Sequence, residues 1–139
     1  MPKTTLKTIA KYMRGIDFCH LTTSDLRGRT RSRPMSNNGD VDYDGTSYFF
    51  AYSGSKKVKA IQKNPIVSLQ YVNTGLFKKN VFLSVEGKAK LSTKREDLEK
   101  HWVPSLNLWF PKGIDTKGIV LIAVKASKIH YWTGSEEGE

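Results

Sequence analysis

Apolar residues recur along this chain at two different periods, and the switches between them mark out its elements. Ile9, Tyr12, Met13 and Ile16 lie at helical spacing, which predicts an amphipathic helix over roughly residues 4–15 with Gly15 as its stop. "DFCHLTTS" (17–24) is rich in β-formers, and "RTRSRPMSN" (29–37) alternates charged and small residues. With the turn "DLRG" between them they predict a β-hairpin. Pro34 has no N–H to give to a ladder, so it belongs at an edge or a bulge. "YDG" (43–45) is a turn signal, and "SYFFAY" (47–52) is a strongly apolar strand.

The period then changes. Val58 and Ile61 give "SKKVKAIQKN" one apolar helical face, with Ser55 as N-cap and Asn64-Pro65 as the stop. "IVSLQYV" (66–72) and "NVFLSVEGKAKL" (80–91) predict strands, and "TKREDLEKHW" (93–102) a helix capped by Thr93. "VPSLNLWFPKG" (103–113) is an aromatic segment between prolines. "GIVLIAVKASKIHYW" (118–132) predicts strand again, as two strands broken near Ala126-Ser127. Strands dominate, one helix separates the third from the fourth, and signals for a parallel sheet are few. The pattern predicts one antiparallel barrel or sandwich with peripheral helices. Phe49, Phe50, Tyr71 and Phe82 are expected in the core, and Trp102 in packing.

The length of 139 residues fits one domain, and 38% hydrophobic residues make it globular. No apolar run approaches the ~18 residues that cross a bilayer, so no membrane partner is expected. The N-terminal segment is basic but lacks a continuous apolar stretch and a small-residue cleavage site, so it does not read as a signal peptide. The single cysteine, Cys19, suits a reducing compartment, and the expected location is cytoplasmic. The last six residues, "GSEEGE", are acidic and read as a frayed tail.

Charge changes the picture most. The net charge is +10, which favours phosphorylated ligands, polyanions or membrane surfaces without choosing among them. Metal chemistry finds no support, since His20, His101 and His130 are scattered and Cys19 and His20 are adjacent, which on a strand sends them to opposite faces. Nor is there a nucleophile elbow or a Cys/His or Ser/His pair. Asp40, Asp42 and Asp44 alternate in one loop, but without the downstream bidentate glutamate of a calcium loop.

Anion binding is the candidate that survives. "SGSKK" (53–57) puts two short residues and a glycine ahead of a helix whose first-turn N–H groups are free and partly positive. Lys56 and Lys57 at that terminus are unfavourable for an isolated helix, and a bound dianion reverses the sign of that term. The motif is no P-loop, because G-x-x-x-x-G-K-[ST] is absent. Arg31 and Arg33 share one face of the preceding strand and could complete a clamp. The other reading, a lysine-rich solvated helix beside an exposed strand, is equally consistent with these residues.

The ordered set "LTTSDLRGRTRSRPMS", "DGTSYFFAYSGSKKVKAIQKNPIVSLQYV", "VFLSVEGKAKL" and "HWVPSLNLWFPKG" resembles the pyridoxamine 5′-phosphate oxidase-like FMN-binding split barrels, in particular the short general stress protein 26 branch. The likeness runs from about Ile9 to Trp132, and its most specific part is K-x-x-x-I-x-x-N-P-x-V-x-L-x-Y, Lys57 to Tyr71. It implies an antiparallel split β-barrel homodimer with FMN in a cleft between subunits. By that resemblance Arg33, Pro34 and Met35 run along the flavin, and Phe50 and Ala51 line the site through strand backbone. Ser55, Lys56 and Lys57 hold the phosphate, and Trp109 lies near the ring system, from the same or the partner subunit. The added C-terminal segment of oxidases that act on pyridoxamine phosphate is missing, so that activity does not carry over. Tyr52 stands where small polar residues are common in the branch.

Three functions follow as expectations: an FMN-dependent oxidoreductase with a small-molecule electron donor or acceptor such as NAD(P)H, a non-catalytic flavin sensor or store, and a basic barrel that binds nucleic acid. The last lacks RNP-like or zinc motifs, so nucleic acid is not expected as a partner.

Overall fold

The computed structural model describes residues 6–14, 16–36, 43–75, 78–134 and 136–139. Gly15, Asp40 and Asp42 lie outside these residues. Strand β1 (Phe18–Ser24) and β2 (Thr30–Ser36) form the expected hairpin, registered from Phe18 opposite Ser36 to Ser24 opposite Thr30. Asp25 fixes its turn by accepting the N–H groups of Arg27 and Arg29 at 2.8 and 2.9 Å. Then come β3 (Thr46–Tyr52), β4 (Ile66–Gly75), β5 (Lys78–Ser92), β6 (Ile119–Thr133) and β7 (Glu137–Gly138), with helices α1 (Leu6–Met13), α2 (Lys56–Lys63) and α3 (Arg95–His101). Two short 3-10 turns follow α3, Pro104–Leu108 before Pro111 and Gly113–Asp115 after it.

All pairings are antiparallel, in the order β2-β1-β4-β5-β6-β3, with β7 on the side of β6. The two ends of this path, β2 and β3, do not pair with each other, so the sheet coils into a barrel split between them. Pro34 lies on β2, an edge strand, where its missing N–H costs nothing. Inward-facing residues of every long strand meet in one core that includes Cys19, Leu21, Met35, Phe49, Ala51, Leu69, Tyr71, Val85 and Ile122. Val58 and Ile61 of α2 and Ile9 and Met13 of α1 join it, as their helical spacing predicts. Within this core the hydroxyls of Tyr71 and Ser47 share a hydrogen bond of 2.8 Å. Burial raises the Cys19 thiol to about 12, which makes it a small apolar filler.

The other face of β3 is also covered. Tyr48 stacks on His101 with 3.6 Å between ring centroids, Phe50 meets the edge of Trp102 at 4.9 Å, and Tyr52 meets Phe110 at 5.0 Å. This second cluster, with Leu98, Ile119 and Leu121, holds α3 and the 3-10 turns against the barrel.

Four expectations need correction. Residues 119–133 form one strand with a bulge: Ala126 opposes Gly87, Lys128 opposes Glu86, and Ser127 between them has no partner in the register. Its hydroxyl donates to the Glu86 carbonyl at 3.0 Å. The acidic tail is paired, because β7 meets β6 through Tyr131–Gly138 and Trp132–Glu137, while Glu137 and Glu139 reach His130 and Lys128 at 2.9 and 3.0 Å. The cap of α3 is Lys94, with Ser92 taking the role given to Thr93: the Ser92 hydroxyl accepts the Lys94 N–H and donates to Asp97 at 2.6 Å. Phe82 is 40% exposed, since Val81, Leu83 and Val85 take the inward positions of β5.

Gly87 sits at the bulge where β5 crosses β6. A Cβ there would lie 2.5 Å from the Lys125 carbonyl oxygen and 3.1 Å from Val124. Gly87→Ala is therefore expected to destabilise the fold by about 1–3 kcal/mol, the usual cost of overpacking. Urea denaturation checks this, as a lower midpoint with an unchanged slope.

Candidate functional site

The inward row of β2 changes chemistry along its length. Met35 is buried in the core, Arg33 is partly buried, and Arg31 is exposed. The row leaves the core where α2 begins. Arg33 and Arg31 oppose Leu21 and Thr23 of β1, whose third inward position is thus polar. Thr23 is 3% exposed, and its hydroxyl accepts a hydrogen bond from Arg33 Nη1 at 2.9 Å. That bond aims the guanidinium along the end of the barrel toward Lys57.

Lys57 and Arg33 raise each other's cost. Burial holds the Lys57 ammonium below its usual value, and Arg33 lowers it further. Arg33 is likewise lowered by burial and then by Arg31. Among the described residues no carboxylate lies within ion-pair distance of Arg31, Arg33, Lys56 or Lys57. Ser55 occupies the N-cap position of α2, with extended backbone angles, but its side chain makes no cap bond. Its hydroxyl oxygen is buried without a hydrogen-bond partner. A buried hydroxyl, free first-turn N–H groups and partly buried like charges thus lie together at the start of α2. Each is costly alone, and a phosphate dianion there would satisfy all three.

A groove of about 550 Å³ lies between the β1–β2 turn and the exposed side of α2; Arg33 and Lys56 belong to it, while Ser55 and Lys57 do not line it. Arg29, Arg31, Arg33, Lys56, Lys59 and Lys63 line it, with Asp25 as its single acidic residue.

The expected site residues fall into three groups. Arg33, Ser55, Lys56 and Lys57 come together at the start of α2. Pro34, Met35, Phe50 and Ala51 lie on β2 and β3, the two edges that flank the split. Their side chains do other work: Met35 and Ala51 are in the barrel core, Phe50 is in the second cluster, and Pro34 is exposed on the opposite face of β2. A ligand in the split would therefore meet these strands through their backbone. Trp109 is 53% exposed at the end of the first 3-10 turn and does not line the groove of its own chain. Thr23 escaped the sequence reading, although a polar residue in register with Cys19 and Leu21 was the signal for it.

A family model described as pyridoxamine 5′-phosphate oxidase like matches residues 4–138. The chain belongs to the pyridoxamine 5′-phosphate oxidase-like family. Its fold is shared with solved structures of low sequence identity. General stress protein 26 from Bacillus anthracis superposes with a TM-score of 0.75 at 23% identity, over 98% of this chain and 99% of that one. A protein related to general stress protein 26, from Clostridium acetobutylicum, gives 0.78 at 17% identity, over 96% and 91%. An FAD-binding protein from Mesorhizobium loti gives 0.73 at 16% identity, over 92% and 94%. No curated protein matches the sequence. Among the described residues of this family member, no helix is long and apolar enough to cross a membrane, and no cluster of His, Cys, Asp or Glu could hold a metal ion.

The depressed Lys57 ammonium has a direct consequence for the ligand-free protein. The folded state binds its proton less readily than the unfolded chain, so stability rises as pH climbs from the depressed value toward 10.5, and the penalty is fully present at pH 7. Lys57→Met should raise the thermal midpoint in chloride buffer at pH 7, on the order of 1–3 °C for a change at a partly exposed site. In phosphate buffer the wild type should gain and the variant should not.

Proposed function

We propose that this chain is an FMN-binding flavoprotein, with the FMN phosphate held by Arg33, Ser55, Lys56 and Lys57 at the start of α2. The observation that carries the reading is the buried, unbonded Ser55 hydroxyl beside two partly buried cations, Arg33 and Lys57, that have no carboxylate partner among the described residues. Family membership and the FAD-binding neighbour support a flavin as the bearer of that phosphate. The whole chain is read as one FMN-binding domain. The ring system would lie along the split, against the backbone of Arg33, Pro34 and Met35 on one side and of Phe50 and Ala51 on the other.

Bound FMN would supply electron transfer to and from small molecules, which makes an oxidoreductase with a reduced pyridine nucleotide as donor the favoured activity. The chain's own residues bind and orient: Arg33, aimed by Thr23, and Lys57 fix the phosphate, and the edge strands set the ring. Half-buried cations would also favour added negative charge on a nearby group. A homodimer completes the proposal. Val72 pairs with Phe82 and Phe82 with Trp132, and Phe18 stands level with Val72 one step past Cys19–Tyr71. This places a row of apolar residues on the outside of the sheet, with Phe18, Val72 and Phe82 between 58% and 40% exposed. A second copy would cover such a row and bring Trp109 of the partner subunit toward the split.

Purified protein should be yellow, or become so on adding FMN, and Lys57→Ala should weaken FMN at least about tenfold, the value of one charge-assisted contact. A colourless protein that takes up no FMN overturns the proposal. Oxidation of NADH or NADPH by the loaded protein tests the catalytic half separately. For the dimer, light scattering should give twice the chain mass, and Phe82→Glu should shift it toward one copy.

A further inference from the structure

One phosphate does not use up the charge of the groove. Beyond the inner end at Arg33 and Lys56, the groove continues past Arg31, Lys59 and Lys63 to Arg29 at its lip. Lys59 and Lys63 stand three and seven residues after Lys56, which keeps all three on one side of α2 over roughly 10 Å. Arg29, Arg31 and Arg33 alternate along the opposite wall over roughly 13 Å. Two rows of cations, from two different elements, thus face each other across a shared space. The single acidic residue there, Asp25, is already engaged: it accepts the N–H groups of Arg27 and Arg29 and the Nε–H of Arg29 at 3.1 Å. Among the described residues Arg31, Lys59 and Lys63 have no carboxylate within ion-pair distance. A solvated lysine face normally carries both signs interspersed and has no matching row opposite it.

The space also exceeds a phosphate. About 550 Å³ has room for a nucleoside phosphate, and the groove meets the inner phosphate site through Arg33 and Lys56. Leu26, 81% exposed at the turn, and Ala60 give the groove apolar surface beside guanidinium planes that can stack on a base.

We propose that the outer half of this groove is a second phosphate subsite, in which Arg31, Lys59 and Lys63 hold a nucleoside phosphate. It rests on the reading of the inner end as a flavin phosphate site. The nucleoside phosphate comes from one of two sources, the adenylate half of FAD continuing from the inner phosphate, or a separate nucleotide such as a pyridine dinucleotide bound beside FMN.

Calorimetric titration separates them. FMN and FAD are titrated into ligand-free protein, and ADP into both ligand-free and FMN-loaded protein, for wild type and for Lys59→Gln/Lys63→Gln, whose changes lie on the exposed side of α2. FAD binding at least about tenfold tighter than FMN, with the gain erased in the double variant, identifies the first source. ADP binding to FMN-loaded protein, weakened about tenfold or more in the variant, identifies the second. FAD no tighter than FMN, together with no ADP binding, overturns the subsite and leaves the flavin reading intact. ADP binding to ligand-free protein with the same lysine dependence, and no binding of either flavin, keeps the subsite and overturns the flavin reading.

Discussion

The rest of this structure depends on the crossing of β5 and β6. Both strands run for fifteen residues, and both are paired for most of that length. Two such ribbons cannot stay flat, because strand twist accumulates with every residue. The bulge at Ser127 and the missing side chain at Gly87 let them bend where the Lys125 carbonyl comes closest. On one side of the bend β6 carries β3; on the other, β7 covers part of its edge. The sheet therefore coils far enough to bring β2 and β3 to the two lips of a slot without pairing them. A flat sheet would leave these edges far apart, and the start of α2 would have no Arg33 opposite it.

The slot then sets the electrostatics. Each inward row of β1 and β2 begins in apolar core and ends in polar residues: Cys19, Leu21, Thr23 on one strand, Met35, Arg33, Arg31 on the other. Half-burying Arg33 is tolerable because Thr23 supplies an acceptor and solvent lies one residue away. Placing Lys57 beside it is a different matter, since like charges at reduced dielectric repel. Nothing in the barrel's packing needs that neighbour. Val58 and Ile61 already anchor α2, and a neutral residue at position 57 would serve the fold better. A cost of this kind, kept where a hydroxyl and helix N–H groups also go unbonded, is explained by a ligand more economically than by the fold.

Sequence periodicity carried the architecture well wherever one side of an element is buried. Every long strand and all three helices are legible from the alternation of Cys19–Leu21, Phe49–Ala51 or Val81–Leu83–Val85 and from the spacing of Ile9–Met13 and Val58–Ile61. The misreadings have one cause: each turns on what another strand places opposite. Ala126-Ser127 interrupts the period in the same way whether the strand ends or bulges, and only Gly87 across the ladder decides between them. The acidic tail has no pattern of its own, because its order comes from the open edge of β6 and from Lys128 and His130. Phe82 shows the limit of residue type as a guide: its neighbours' alternation places it outside, while its aromatic ring suggests inside. The places of Ser55, Lys56, Lys57 and Arg33 in the fold were legible because a helix start and a strand period fix them locally. What Trp109 faces was not legible, since a residue at the end of a 3-10 turn carries no periodic information.

The same geometry bears on how tightly a ligand would be held. The cations sit on a β-hairpin and a helix that are docked on one core, so their backbones are set before any ligand arrives, and Thr23 also holds the Arg33 side chain. Little backbone entropy would be lost on binding, and the repulsion of Lys57 by Arg33 would be relieved in the same step. Both effects strengthen binding at the phosphate end. The ring end is different, because the split offers it strand edges whose side chains are committed to the two cores. Backbone contacts alone would hold a flat ring in place but leave its outer face open. The exposed row of Phe18, Val72 and Phe82 and the exposed Trp109 are the surfaces that the proposed second copy would use to supply the rest. On the proposed reading the labour would divide accordingly: one chain would fix the phosphate, and two would enclose the ring.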